Sequence, residues 1–106
     1  MSSQPVTVAH EPEKHRFVVV QDGETAELTY RGGTDGQIVF THTAVPSALE
    51  GRGIGSALAE AGLEYAQSNN LEVVPLCSFV RGYIERKPEY QSLVRKSANG
   101  NSGGFA

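Results

Sequence analysis

The chain has no tryptophan, one methionine and a single cysteine, Cys77, in 106 residues. One thiol cannot close an internal disulfide or build a zinc site of the multi-cysteine kind, and it fits a reducing, cytoplasmic setting. Long apolar runs are missing as well. The longest uninterrupted one is Phe17 to Val20, whereas a membrane helix needs roughly 20 residues. The first residues hold no basic stretch leading into an apolar segment, so neither a membrane partner nor a secretory signal is expected. Lysine is absent between Lys14 and Lys87. That removes the Gly-Lys-Ser/Thr of a Walker loop, and nucleoside triphosphate hydrolysis by that route with it.

An excess of positive charge is also lacking. The formal net charge is −3, with three Lys/Arg against seven Asp/Glu in residues 1–50 and six against five in residues 51–106. A nucleic-acid binder needs a concentrated basic face, so the balance argues against that partner class. The second half can still receive a small anion. No metal constellation appears. What is present, 39% hydrophobic and 20% charged residues with four Tyr and four Phe, suits one compact domain with a modest core.

Along the chain, residues 1–14 are polar with two prolines and read as a loose arm, with at most an edge strand at Val6 to Ala9. The domain proper is expected at 15–96, and the Gly-, Asn- and Ser-rich 97–106 reads as a disordered tail. Arg16 to Gln21 and Glu24 to Arg31 flank Asp22-Gly23, which predicts an antiparallel hairpin with a two-residue turn. Gln37 to Val45 follows as a third strand, with Ile38, Phe40 and His42 placed on one face. From Gly53 to about Ser68 the period becomes helical, with Ile54, Ala57, Leu58, Ala61, Tyr65 and Ala66 in one stripe and Leu63 as a misfit opposite it. Glu72 to Leu76 is a short buried strand, so strand, helix and strand form a βαβ unit with parallel strands. Phe79, Val80, Tyr83 and Ile84 give another helical face, and Pro88 suits the start of a last helical turn or two. The fold class is α/β (α+β), a mixed sheet that is antiparallel first and parallel across the βαβ unit.

The segment Gly51-Arg52-Gly53-Ile54-Gly55-Ser56-Ala57 lies between a strand end and a patterned helix. Glycines let backbone N–H groups approach a ligand, and a helix N-terminus carries partial positive charge, so a phosphate is the natural guest. From the glycines alone, a tight loop in which they serve only turn geometry is the simpler reading. The dinucleotide fingerprint fits poorly, because Ser56 stands where Gly or Ala is needed and Glu72 begins the next strand instead of ending it. Pro46 and Pro75 sit near the C-terminal ends of the two parallel strands. Neither can donate a ladder hydrogen bond, so the strands either simply end there or splay into a wedge that admits an extended ligand.

Val39-Phe40-Thr41-His42-Thr43-Ala44-Val45-Pro46 followed by Gly51 to Leu58 resembles the acetyl-CoA motif of the GNAT acyltransferase superfamily. Val74-Pro75-Leu76-Cys77-Ser78-Phe79-Val80, with Tyr83-Ile84 and Pro88-Glu89-Tyr90, is similar to a small GNAT-like acetyl-CoA-binding subfamily that has a cysteine after this strand. The resemblance spans about residues 15–95 and implies a minimal GNAT-like fold. It implies acetyl-CoA as cosubstrate, its pyrophosphate on the loop amides of Arg52, Gly53, Ile54, Gly55, Ser56 and Ala57, and its pantetheine arm in the splay beside Val45. Acetyl transfer to an amine or thiol acceptor follows. A non-catalytic CoA-binding or protein-interaction module is the rival reading. The family pattern has Arg or Gln where this chain has Glu50, and a carboxylate there opposes a pyrophosphate unless Arg52 compensates.

Three side chains are candidates for chemistry. Cys77 stands at a strand end before a helix, where a dipole activates a thiol, and it also reads as a small buried packing residue. Tyr83 is a candidate acid for a departing thiolate or a core tyrosine. His42 is first a half-buried, hydrogen-bonded histidine and second a general base or thiol partner. His10 and His15 lie too near the arm to be strong candidates.

Overall fold

A computed structural model of the chain describes residues 6–94. They form one five-stranded sheet in sequential order: β1 (Ala9–Glu11), β2 (Arg16–Gln21), β3 (Glu24–Gly32), β4 (Gln37–Ala44) and β5 (Glu72–Pro75). Neighbours are antiparallel as far as β4, and β4 and β5 are parallel, joined through helix α1 (Ile54–Ser68). Helix α2 (Ser78–Arg86) follows, and 3-10 turns occupy Pro12–Lys14, Ser47–Leu49 and Pro88–Leu93. The mixed sheet with its βαβ unit is therefore the one expected. Asp22 and Gly23 both take positive φ, at 52° and 76°, as a two-residue turn matched to strand twist requires.

The N-terminal arm differs from expectation. The edge strand lies at Ala9–Glu11, paired with Arg16–Val18 of β2, and chain order begins before residue 15. Arg16 ties it down on one face, donating to Glu11 at 2.6 Å and to Glu27 of β3 at 2.8 Å. On the other face the His10 ring stacks on Phe17 at 4.2 Å and its Nε2 is 2.7 Å from the Tyr30 hydroxyl. Burial lowers the His10 pKa, against the pull of Glu13. Three residues are too few to show a period, so the edge strand expected at Val6 to Ala9 overlaps the observed one at Ala9 alone. Residues 1–5 and the tail at 97–106 lie outside the described residues.

β4 carries the feature that positions everything downstream. Its register against β3 shifts between Thr29 and Tyr30: Thr29 pairs with His42 but Tyr30 with Phe40, leaving Thr41 as an extra residue. A bulge of this kind reverses which face the later residues present. Ile38 and Phe40 point to the core, and after the bulge Thr43, opposite core-facing Leu28, does so. His42 consequently faces away from the core and is exposed, a correction to its expected place beside Ile38 and Phe40.

α1 is also turned relative to its expected stripe. The buried positions are Ile54, Leu58, Ala59, Gly62, Leu63 and Ala66, so Leu63 is core and no misfit. The face is centred on glycine, which a search for large apolar residues does not count. A Cβ on Gly62 would sit 2.8 Å from the Phe40 ring and 3.1 Å from Leu28, so only glycine lets the helix approach the sheet this closely. Leu63→Ala is expected to cost about 2–5 kcal/mol, as for other fully buried leucines, and Gln67→Ala close to nothing. Urea unfolding checks this, and a loss at Leu63 below about 1 kcal/mol would return it to the side opposite the core.

Candidate functional site

β4 and β5 pair from Gln37–Glu72 to Phe40–Pro75 and no further. Pro75 has no N–H to give, and the last link is supplied two residues later by the Cys77 amide, which donates to the Phe40 carbonyl at 3.0 Å. Beyond it β4 runs on through Thr41–Ala44 while the other chain turns into α2. β5 ends at Pro75, one of the two outcomes that proline allowed, whereas Pro46 lies beyond the end of β4, and a groove of about 480 Å³ runs from Thr43 and Val45 to the start of α1.

One wall is Thr43 and Val45, the far end is the glycine loop with Glu50, and Leu49, Ile54 and Phe79 give an apolar floor and flank. Leu49 and Ile54 are fully buried core residues as well, so the groove rests on the core. Gly51 and Gly53 take φ of 85° and 77°, the left-handed conformation that glycine adopts without penalty. Gly53 is the N-cap of α1 and supplies no side-chain cap. The first helical bond is from the Ala57 amide to Gly53 at 3.0 Å, leaving the Ile54, Gly55 and Ser56 amides before it as the orphan donors of a helix start. Three aligned donors with a helix dipole behind them form an anion cradle.

The candidate residues are not all brought together. Val45, Gly53, Ile54, Gly55 and Ser56 line the groove. Ala57 does not, since its amide is spent inside the helix. Arg52 turns away: its guanidinium donates to Gln21 at 3.0 Å, to Asp22 at 2.8 Å and to the Ala48 carbonyl at 3.4 Å. It fastens the loop to the β2–β3 turn and is not placed as a counter-charge in the groove. Glu50 lines the groove as an exposed residue. Sequence reasoning missed Thr43, Leu49 and Phe79 as groove residues; Thr43 needed the bulge to be known.

Cys77 is the N-cap residue of α2 and 7% exposed. Its thiol is hydrogen-bonded with the Thr43 hydroxyl at 3.1 Å, across the point where the strands part. His42, one residue before Thr43, projects from the opposite face. Tyr83 lies one helical turn past Phe79, stacked with Tyr90 at 6.2 Å between ring centroids and under the Arg86 guanidinium. Burial first, then Glu60 and Glu89, raise its pKa against the opposing Arg86. Tyr90 donates to Glu64 at 2.6 Å, and that bond, with burial behind it, raises its pKa strongly. Tyr83 thus belongs to a packed tyrosine pair and does not line the groove. Among the described residues no group of three or more His, Cys, Asp or Glu side chains is arranged to hold a metal ion, and no helix is long and apolar enough to cross a membrane.

A single sheet parted between two parallel strands, with a helix N-terminus aimed into the opening, is the architecture of an acyltransferase of the GNAT class. The profile described as GCN5-related N-acetyl-transferase matches residues 16–93, and the chain belongs to this family. Protein NATD1 of Mus musculus is 31% identical over 93 residues, covering 86% of this chain and 84% of that one. Protein NATD1 of Danio rerio is 26% identical over 95 residues. The solution structure of a GCN5-like protein from Staphylococcus aureus has a TM-score of 0.66 at 28% identity, over 92% of this chain and 97% of the other.

Two measurements test the site's physical description. A Cβ on Gly53 meets nothing within 4 Å, so Gly53→Ala is expected to cost about 1–2 kcal/mol from backbone conformation alone. Gly53→Asn should cost less, because asparagine tolerates this conformation; equal losses in urea unfolding would point to crowding instead. Tyr83 and Tyr90 have folded pKa values raised above a free phenol's value of about 10. Their stabilisation is complete below that pH and is lost as pH rises through the folded values. Tyr90→Phe should flatten the decline of the urea midpoint above about pH 10, and an unaltered slope would assign the decline elsewhere.

Proposed function

We propose that the protein binds acetyl-CoA in the groove and transfers the acetyl group to an amine, with Cys77 as an intermediate acceptor. The observation that carries the reading is the end of β4–β5 pairing beside Cys77, which does not itself line the groove but whose thiol is hydrogen-bonded to the groove residue Thr43, with the start of α1 lining the same groove. The extended pantetheine arm suits the wall of Thr43 and Val45 and the apolar floor of Leu49 and Ile54. Its phosphates suit the amides of Ile54, Gly55 and Ser56.

In the covalent route the Cys77 sulfur attacks the thioester carbonyl carbon. A new C–S bond forms, the bond to the CoA sulfur breaks, and the proton leaving Cys77 ends on the CoA thiolate. An incoming amine then attacks the cysteine thioester, giving an amide and returning the thiol. In this route backbone N–H groups near Val45 polarise the carbonyl, a role supported by Val45 lining the groove. His42 and Tyr83 take no part in this route: one faces away from the groove and the other is packed against Tyr90.

A second reading, a domain that binds CoA without turnover, is favoured by the 7% exposure of Cys77 and by the carboxylate of Glu50 in the groove. Intact mass after incubation with acetyl-CoA separates the two. Transfer through Cys77 is expected to add one acetyl group that hydroxylamine removes, and Cys77→Ser should lose this label yet still bind CoA. A stable label on lysine would favour direct transfer to amines. No label, together with a thiol that resists a small alkylating probe until unfolding, would establish binding without covalent chemistry.

A further inference from the structure

We propose that Asp22, on the β2–β3 turn, is a positioning residue for donor binding: through Arg52 it holds the glycine loop in the form that faces the groove. The inference rests on the donor reading above and adds to it a residue that does not itself line the groove.

Of Gly51, Arg52 and Gly53, the residues immediately before α1, only Arg52 has a side chain with which to fix the segment. The glycine on either side of it is left-handed, and a backbone that enters this conformation without penalty also leaves it without penalty. Arg52 is therefore held by its guanidinium. Nη1 donates to Gln21 Oε1 at 3.0 Å and to Asp22 Oδ2 at 2.8 Å, and Nη2 donates to the Ala48 carbonyl at 3.4 Å. These acceptors belong to the end of β2, the hairpin turn and the Ser47–Leu49 turn, so one side chain joins three segments. Two of the acceptors sit on a firm support. Gln21 is 8% exposed and pairs with Glu24 across the hairpin, and Asp22 occupies the tight turn that the ladder closes. A planar guanidinium meets several acceptors at once with little loss of freedom, which an ammonium on a flexible stem does not. Gly51, Gly53 and Ile54, the neighbours of Arg52, line the groove. A loop cut loose from the hairpin has to be ordered by the incoming ligand, and that ordering is subtracted from the affinity. Releasing Arg52 from Asp22 also frees a cation, so the sign of the effect separates a strap from a withheld counter-charge.

Calorimetric titration of the full chain with CoA tests this. Asp22→Gly keeps a turn in which glycine is favoured and removes the carboxylate. It is expected to weaken binding by about threefold to tenfold, and Arg52→Ala by a similar factor. Arg52→Lys keeps the charge and loses the fork, and should weaken binding as much as Arg52→Ala does. The double variant Asp22→Gly/Arg52→Ala should lie within about twofold of the weaker single one, because both changes break one contact. In the ligand-free protein the amide order parameters of Gly51, Arg52 and Gly53 should fall in each variant. The rate of Cys77 acetylation at saturating acetyl-CoA should stay within about twofold of wild type while the half-saturating concentration rises; an equal loss at saturation would assign a general structural role and overturn the inference. Unchanged affinity in Asp22→Gly, or wild-type affinity in Arg52→Lys, would overturn it and leave the donor reading intact. Tighter binding by Asp22→Gly would do the same, since Arg52 would then be a counter-charge that Asp22 withholds. If the wild-type protein binds no CoA, the donor reading falls and the inference falls with it.

Discussion

Phe40 is the last residue of β4 with partners on both edges, and the arrangement of the molecule turns on it. Its backbone pairs with Tyr30 on one side and Pro75 on the other, and its carbonyl takes the amide of Cys77. Its ring is fully buried against the helix face at Gly62. Burying such a ring is worth about 1.5–3 kcal/mol, and the hydrogen bond adds about 1 kcal/mol. Those energies hold β4, β5 and α1 together up to this level of the sheet. Immediately above it the bulge at Thr41 twists β4, Pro75 ends the ladder, and the strands separate. The opening is thus the consequence of a tight junction below it and needs no loose segment to form.

The glycine loop is held by a different set of forces. Gly51 and Gly53 allow the backbone to turn into α1, but left-handed glycines alone leave a loop many conformations. Arg52 removes much of that freedom by reaching Asp22 and Gln21, 30 and 31 positions away in sequence, at the β2–β3 turn. The ion pair with Asp22 is exposed on both sides, so screening keeps its worth to the order of 1 kcal/mol or less. Its contribution is better described as fixing register: the hairpin turn, the loop and the N-terminus of α1 keep one mutual placement. The basic residue of the glycine loop therefore serves the scaffold, and the groups that the loop and α1 present to the groove are backbone ones.

The parts of this structure legible in the sequence are those governed by local rules. Asp22-Gly23 demanded a two-residue turn, the change of period after Gly53 demanded a helix, and the βαβ unit with its glycine loop followed from them. The residues misjudged are those whose placement depends on a long-range fit. A one-residue bulge leaves no mark on an alternating strand, so His42 was put on the face that Thr43 occupies. Gly62 carries no apolar weight, so the stripe on α1 was drawn beside the true contact and Leu63 was set outside it. His10 belongs to a three-residue strand whose order comes from Arg16 and Phe17. Each miss has one cause, in that the pairing partner decided what the period could not.

The same dependence bears on how the groove keeps its shape. Leu49 and Ile54 present one side to the groove while being excluded from water on the other, and Val80 on α2 is buried just below Phe79. Protein interiors are packed closely enough that such residues have one arrangement. The groove floor is therefore as rigid as the core that supports it, which preorganises the site and lowers the entropy lost when an extended ligand settles in it. Phe79 is the exception. It is 38% exposed, and its ring occupies the space into which a Cβ on Gly55 would project. The groove thus joins a floor fixed by the core to one partly exposed ring, and Phe79 is the lining side chain with room to move.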